Sequence, residues 1–204
     1  MRAIIKTQKL FGSLAILGAA LMLAGCGTAL TGAKPTSLDT VTLSAGSTGQ
    51  PSRVSKLQIL IAEPKALKIY DSQNIVVATS STGLEYLGGA QWADRLPSLV
   101  QAKLAEKLQN SGYAAVGLPG QGLAIDYQLI TEIRDFSIRT DGGDRANVAI
   151  FVKLLNDRNG DVVASRAFEA SAPASSANYP AALDAAFGIV SADIAKWVGK
   201  TARK

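Results

Sequence analysis

The chain has 204 residues, 48% hydrophobic and 18% charged, with a formal net charge of +5, one Cys and no His. That length holds one ordinary domain plus accessory segments, and the apolar content is enough to bury a core without metal or disulfide support. The composition excludes a wholly disordered chain, an intramolecular disulfide, a cysteine zinc cluster and a Ser-His-Asp triad.

Residues 1–25 read as a signal peptide. Arg2, Lys6 and Lys9 stand in a segment without acids, and residues 10–24 form an apolar run broken only by Gly12, Ser13 and Gly18. The run is about 15 residues, short of the ~20 that a helix needs to span a bilayer. It ends in Leu23-Ala24-Gly25-Cys26, which resembles the lipobox of bacterial lipoproteins, with Cys26 as the lipid attachment site. The bland alternative is a buried, inert Cys26 inside a transmembrane anchor. One acyl chain holds a protein only marginally, whereas two or three hold it durably. Gly27 follows Cys26, where an Asp is absent; in lipoprotein families this resembles the default signal for the outer membrane. Without Arg2, Lys6 and Lys9 the 21 basic residues fall to 18 against 16 acids, a net of +2. No basic stripe remains except the tail Lys200, Arg203 and Lys204, so nucleic acid is not an expected partner. The tail more simply complements a helix C-terminus.

Residues 26–38 read as an acylated Cys and a flexible tether, and residues 39–204 as the folded domain. A short strand is expected in 39–44, a loop in 45–55, and a strand over 57–61 stopped at Glu63-Pro64. Residues 74–79 and 84–86 are further strand candidates. Leu96, Leu99, Val100, Leu104 and Leu108 repeat at helical spacing after an expected N-cap at Asp94, which puts Pro97 at the third helical position and Gly112 past the end. Residues 124–139 are a long strand that must bulge, because Ile125, Tyr127 and Leu129 have opposite parity to Ile130, Phe136 and Ile138. Strands over 147–156 and 162–171 follow, with turns at 141–144 and 157–160. A second helix begins after Asn178, with Leu183, Phe187, Val190, Ile194 and Trp197 on one stripe. The fold class is α+β: a two-layer domain with a mixed or largely antiparallel sheet and two main helices packed on one face.

No catalytic, cofactor-binding or metal constellation is visible. Gly46-Ser47-Thr48-Gly49 is misspaced for a nucleophile elbow, and residues 117–122 are misspaced for a dinucleotide loop. Asp141 and Asp144 form a carboxylate pair only in principle; a solvated turn is the simpler reading. Glu132 and Asp135 read as solvent-facing or paired with Arg134 and Arg139. Trp92 and Trp197 either line a pocket or pack their helices on the sheet, the second being favoured. Val148, Ile150, Val152 and Leu154 share one face of a strand, and Phe151 and Leu155 share the other. If helices cover one face only, Phe151 and Leu155 offer a partner or lipid surface; if loops from 45–55 cover the second face, both are core.

The strand over 57–61 before Glu63-Pro64, the run Ile75-Val76-Val77, Tyr86, and above all Trp92-Ala93-Asp94-Arg95-Leu96-Pro97 followed by Leu104 and Leu108 carry a family pattern. So do Asp135-Phe136, the turn at Asn159-Gly160 and the closing helix with Trp197. On these residues the chain resembles the ABC-type transport auxiliary lipoprotein family, whose relatives include paraquat-inducible protein C. The likeness runs over about residues 39–198. The resemblance implies a non-enzymatic, lipid-anchored protein on the inner leaflet of the outer membrane, facing the periplasm. It implies a part in lipid transport beside an ABC permease and ATPase with a mammalian-cell-entry (MCE) type substrate-binding protein, without a cofactor of its own. A structural lipoprotein of envelope assembly, serving lipopolysaccharide or secretion machinery, shares the anchor and the two-layer domain. A lipid-acting enzyme needs a nucleophile with a base, and none is apparent.

Overall fold

The computed structural model describes residues 37–46 and 55–202. Cys26, the signal and tether segments, most of the 45–55 loop and the tail residues Arg203 and Lys204 lie outside the described residues. In chain order the strands are β1 (Asp39–Val41), β2 (Ser55–Ile61), β3 (Lys65–Ala66), β4 (Asn74–Ala78) and β5 (Leu84–Trp92). Helix α1 (Leu96–Asn110) follows, then β6 (Tyr113–Gly117), β7 (Tyr127–Arg139), β8 (Arg145–Asn156), β9 (Val162–Pro173) and helix α2 (Tyr179–Thr201).

Strand β7 is the spine of one mixed sheet. Along one of its edges three short strands pair in succession, all parallel. Ile59 to Ile61 of β2 lie opposite Tyr127 to Leu129, β3 lies opposite Glu132 and Ile133, and Val76 to Ala78 of β4 lie opposite Ser137 to Arg139. Pro64, which has no N–H to give a ladder, separates β2 from β3. The other edge of β7 pairs antiparallel with β8 over its whole length, and β8 pairs antiparallel with β9. Beyond β2 lies β6, parallel to it; beyond β4 lies antiparallel β5, then parallel β1. The sheet is therefore mixed rather than largely antiparallel. Strands β3 and β6 were not foreseen, and β5 runs on to Trp92. The two Ala and the Gly of β6 have little strand preference of their own, so tertiary pairing decides them.

The expected bulge in β7 falls at Arg134, which is skipped in the pairing between Ile133–Ile150 and Asp135–Ala149. It switches the inward parity from Leu129 and Ile133 to Phe136 and Ile138, all at most 1% exposed. Ile130 falls on the opposite face and is half-buried. Val148, Ile150, Val152 and Leu154 complete the inward row; α2 lies over it, while α1 packs beside α2 over β2 and β6. Phe136 is central: Trp92 meets it edge-on at 5.8 Å, and Phe187 of α2 lies 6.1 Å away.

Helix α1 begins one residue later than its expected cap implies. Arg95, with an extended backbone, is the N-cap and Pro97 sits at the second helical position, where a missing N–H costs nothing. Asp94 does not cap; its Oδ1 accepts the N–H of Arg95 at 2.6 Å. Gly112, with φ +100°, takes the left-handed position after the helix that any side chain would strain. In α2, Asn178 precedes the helix, but its Oδ1 accepts from the Ser175 N–H at 2.7 Å and leaves the helix N–H groups alone.

Candidate functional site: the outer face of the sheet

The stretch from Trp92 to Pro97 is a structural junction. The Trp92 N–H donates to Gln73 O at 2.7 Å, Ala93 N–H to Val41 O at 2.7 Å, and Leu96 N–H to Ser72 O at 3.0 Å. Arg95 adds an ionic clamp, donating to Asp71 through Nε at 2.9 Å and to Glu63 through Nη1 at 3.0 Å. Its guanidinium holds the Asp71 carboxyl below the usual carboxylate range. Trp92, Leu96, Pro97 and Leu104 are buried, while Asp94 is exposed. The buried members of this stretch build the fold.

The carboxylates singled out by sequence separate into three environments. Asp141 is held by Arg139, with Nη2–Oδ2 at 2.5 Å and Nε–Oδ1 at 3.2 Å, which lowers its pKa. Asp144 accepts the Tyr179 hydroxyl at 2.6 Å, a bond that raises the phenol's pKa. The pair therefore faces two different partners and does not converge. Glu132 is paired at the surface with Arg134, at 3.5 Å.

Asp135 departs from its expected surface role. The segment between β3 and β4 folds Tyr70 over this end of the outer face, leaving Tyr70 6% and Ser137 1% exposed. Asp135 Oδ1 accepts from Ser137 Oγ at 2.6 Å and from the Tyr70 hydroxyl at 3.1 Å. Burial raises the Asp135 pKa despite those bonds, and burial together with the Asp135 charge pushes the Tyr70 phenol up to about 12. Sequence spacing gave no sign of this cluster, because 65 residues separate Tyr70 from Asp135.

At the other end the outer face has a different character. Across β7, β8 and β9 the ladder aligns Glu132, Phe151 and Ala167 in one row, and Ile130, Lys153 and Ser165 in the next. Phe151 and Leu155 are half-buried, each pointing away from the core row. The bulge turns Arg134 onto Phe151, its guanidinium carbon 4.1 Å from the ring centre, and the Lys153 ammonium lies 5.8 Å from it. Beside this cap, Lys65, Ala66, Leu67, Glu132, Ile133 and Arg134 line an open groove of about 540 Å³, with Leu67 69% exposed. An aromatic ring under two cations, beside exposed aliphatics, suits a partner that brings carboxylates and apolar side chains together. Trp92 packs inside the fold as favoured from sequence, and Trp197 meets Phe168 edge-on at 5.7 Å.

The model of the ABC-type transport auxiliary lipoprotein component matches residues 40–195. The chain belongs to that family. It is 35% identical over 149 residues to an uncharacterized protein of Bradyrhizobium diazoefficiens, covering 72% of this chain and 40% of that protein. The chain thus aligns with less than half of that relative's length. A crystal structure of a Xanthomonas campestris protein of the DUF330 family superposes with a TM-score of 0.70 at 26% identity, covering 81% of this chain and 95% of that one. A second solved structure, of an uncharacterized protein, shares the fold with a TM-score of 0.61 at 16% identity, covering 79% and 99% of the two chains. The matched span of this transport auxiliary lipoprotein holds the Trp92–Pro97 junction, the Asp135 cluster and the Phe151 patch.

Proposed function

We propose that the protein is a lipid-anchored, non-catalytic auxiliary component of an ABC transport system that moves lipid through an MCE-type substrate-binding protein. Acyl chains on Cys26 hold it on the periplasmic side of the outer membrane, and the domain docks the transport channel there. The observation that carries the docking role is the half-exposed Phe151, capped by Arg134 and Lys153, on a sheet face that the two helices leave uncovered. Family membership supports the transport context. Support for a binding role over catalysis comes from the carboxylates singled out: Asp141 and Glu132 are paired with Arg139 and Arg134, and the hydroxyls that Asp135 and Asp144 accept, on Ser137, Tyr70 and Tyr179, are buried away from any substrate.

Fatty-acid metabolic labelling combined with crosslinking in native envelopes tests this reading. The acylated protein is expected to take up label and to crosslink to a permease or MCE-type component, and Cys26→Ser is expected to lose both. Undiminished labelling of Cys26→Ser would overturn the anchor. Crosslinks confined to lipopolysaccharide or secretion machinery would overturn the transport role.

A further inference from the structure

Among the described residues four strands of very unequal length pair on one side only: β1, β3, β6 and β9. β1 has 3 residues and β6 has 5, short enough to discourage pairing with another chain. β9 has 12 residues and, among the described residues, pairs only with β8. Its one proline, Pro173, is the last residue, and its one register irregularity lies near its start, opposite Leu154 and Leu155. Half of its side chains are small (Ala164, Ser165, Ala167, Ala170, Ser171 and Ala172), so a neighbouring backbone can approach closely. Proteins usually blunt a long edge with a bulge, a proline or an inward charge. Over residues 164–172 this strand has neither a bulge nor a proline, and its one inward charge, Arg166, is laid over the Phe168 ring.

Next to that edge, between β9 and α2, lies a pocket of about 220 Å³ lined by Arg166, Phe168, Asp193, Lys196, Trp197 and Lys200. Its floor is apolar: Phe168 is 6% exposed and packs on the half-buried Trp197. Its rim carries three cations against one carboxylate. Arg166 is held over the Phe168 ring at 5.3 Å, and Asp193 pairs with Lys196 at 3.4 Å, both side chains exposed. The ladder register puts Arg166 and Phe168 opposite Val152 and Ile150, on the helix-covered side. A residue on a strand added to β9, facing that side opposite Arg166, would have its Cβ about 5 Å away and its side chain directed at the pocket.

We infer that β9 is a strand-addition edge whose flanking pocket takes a carboxylate side chain, so that the segment it binds is an extended acidic peptide of a partner protein. Backbone bonds along β9 supply the pairing, and Arg166, Lys196 and Lys200 select the acid. The inference rests on the reading of the domain as a partner-binding module, but it involves a different surface from the Phe151 patch.

The test uses two capped peptides, Thr-Val-Glu-Val-Thr and the same sequence with Lys for Glu, with the folded domain. Readouts are amide hydrogen exchange along β9 and the emission of Trp197, which is half-exposed where Trp92 is buried. The Glu peptide is expected to protect alternate β9 amides, to shift the Trp197 emission and to bind about tenfold more tightly than the Lys peptide. Arg166→Glu with Lys196→Glu, both at the surface, is expected to reverse that preference. No protection of β9 with either peptide, or equal affinity for both, would overturn the inference. A Trp197 shift without β9 protection would reduce the site to an anion pocket and overturn strand addition. Protection of β9 that rises with protein concentration alone would assign the edge to a second copy of the chain. Phe151 lies on the opposite face of the sheet from Arg166 and Phe168, so failure of the peptide test leaves the outer-face docking role standing.

Discussion

The two faces of the sheet are made from the same three long strands and have opposite chemistry. On the inward face, Phe136, Val148, Ile150, Val152 and Leu154 are at most 1% exposed, and α2 packs over their strands. Residues one position away in the same strands, Phe151, Lys153, Leu155 and Arg134, remain half-buried or exposed. Alternation along a strand therefore assigns the packed core to one face and puts partly exposed side chains on the other. The outer face is itself divided. Tyr70 seals the Asp135–Ser137 end, whereas at the other end the cations of Arg134 and Lys153 lie over Phe151.

Mutations on the inward face should have the largest effects on stability. Phe136→Ala removes the ring that joins Trp92 to Phe187, and a loss of about 3–5 kcal/mol is expected, lowering Tm by ~10 °C. A fall of only a degree or two would mean that the inward face is less tightly packed than its burial implies. A smaller effect of opposite sign is expected at Thr131, which lies inward opposite Val152 and whose buried Oγ1 has no hydrogen-bond partner among the described residues. Thr131→Val should stabilise the domain by ~1 kcal/mol in denaturant titration, since an unmet buried hydroxyl is replaced by a methyl of similar size.

The sealed end of the outer face should show itself as a pH dependence. The Asp135 pKa is raised by burial above the ordinary 3.8. The folded state then holds its proton more strongly than the unfolded state does. The stability from protonated Asp135 is complete below pH 3.8 and is lost as pH rises through the folded-state value. Asn at this position keeps an Oδ1 to accept both Ser137 and Tyr70, which share one oxygen of the carboxylate. Asp135→Asn should therefore lose this loss of stability with rising pH, as measured by melting between pH 3.5 and 7. An unchanged profile would show that the cluster is open to water.

Much of this division was legible in the sequence. The parity switch within residues 124–139 foretold the bulge, and the alternation from Val148 to Leu155 told the two faces apart. The leucine spacing after Pro97 located α1. Less visible was whatever depends on distant pairing. The Tyr70–Asp135 contact and strands β3 and β6 arise from register along β7, and no local pattern encodes them. Asp94 looked like a helix cap because acids favour that position, yet the extended backbone of Arg95 moved the boundary by one residue. The cationic cover on Phe151 was hidden for a related reason: it depends on where the bulge turns Arg134.

The central claim is that the Phe151 end of the outer face is a recognition surface and not an extension of the core. Phe151→Asp with Leu155→Asp places carboxylates on this half-exposed surface, beside Arg134 and Lys153, which offset repulsion from Glu132 across the ladder. The decisive measurement is paired: melting of the double variant, and its co-purification with the permease or MCE-type component from native envelope. The account predicts a stability change below about 1 kcal/mol, as for an exposed site, together with loss of co-purification. A large drop in stability would assign both residues to the core. Full co-purification at unchanged stability would contradict the docking role of this face.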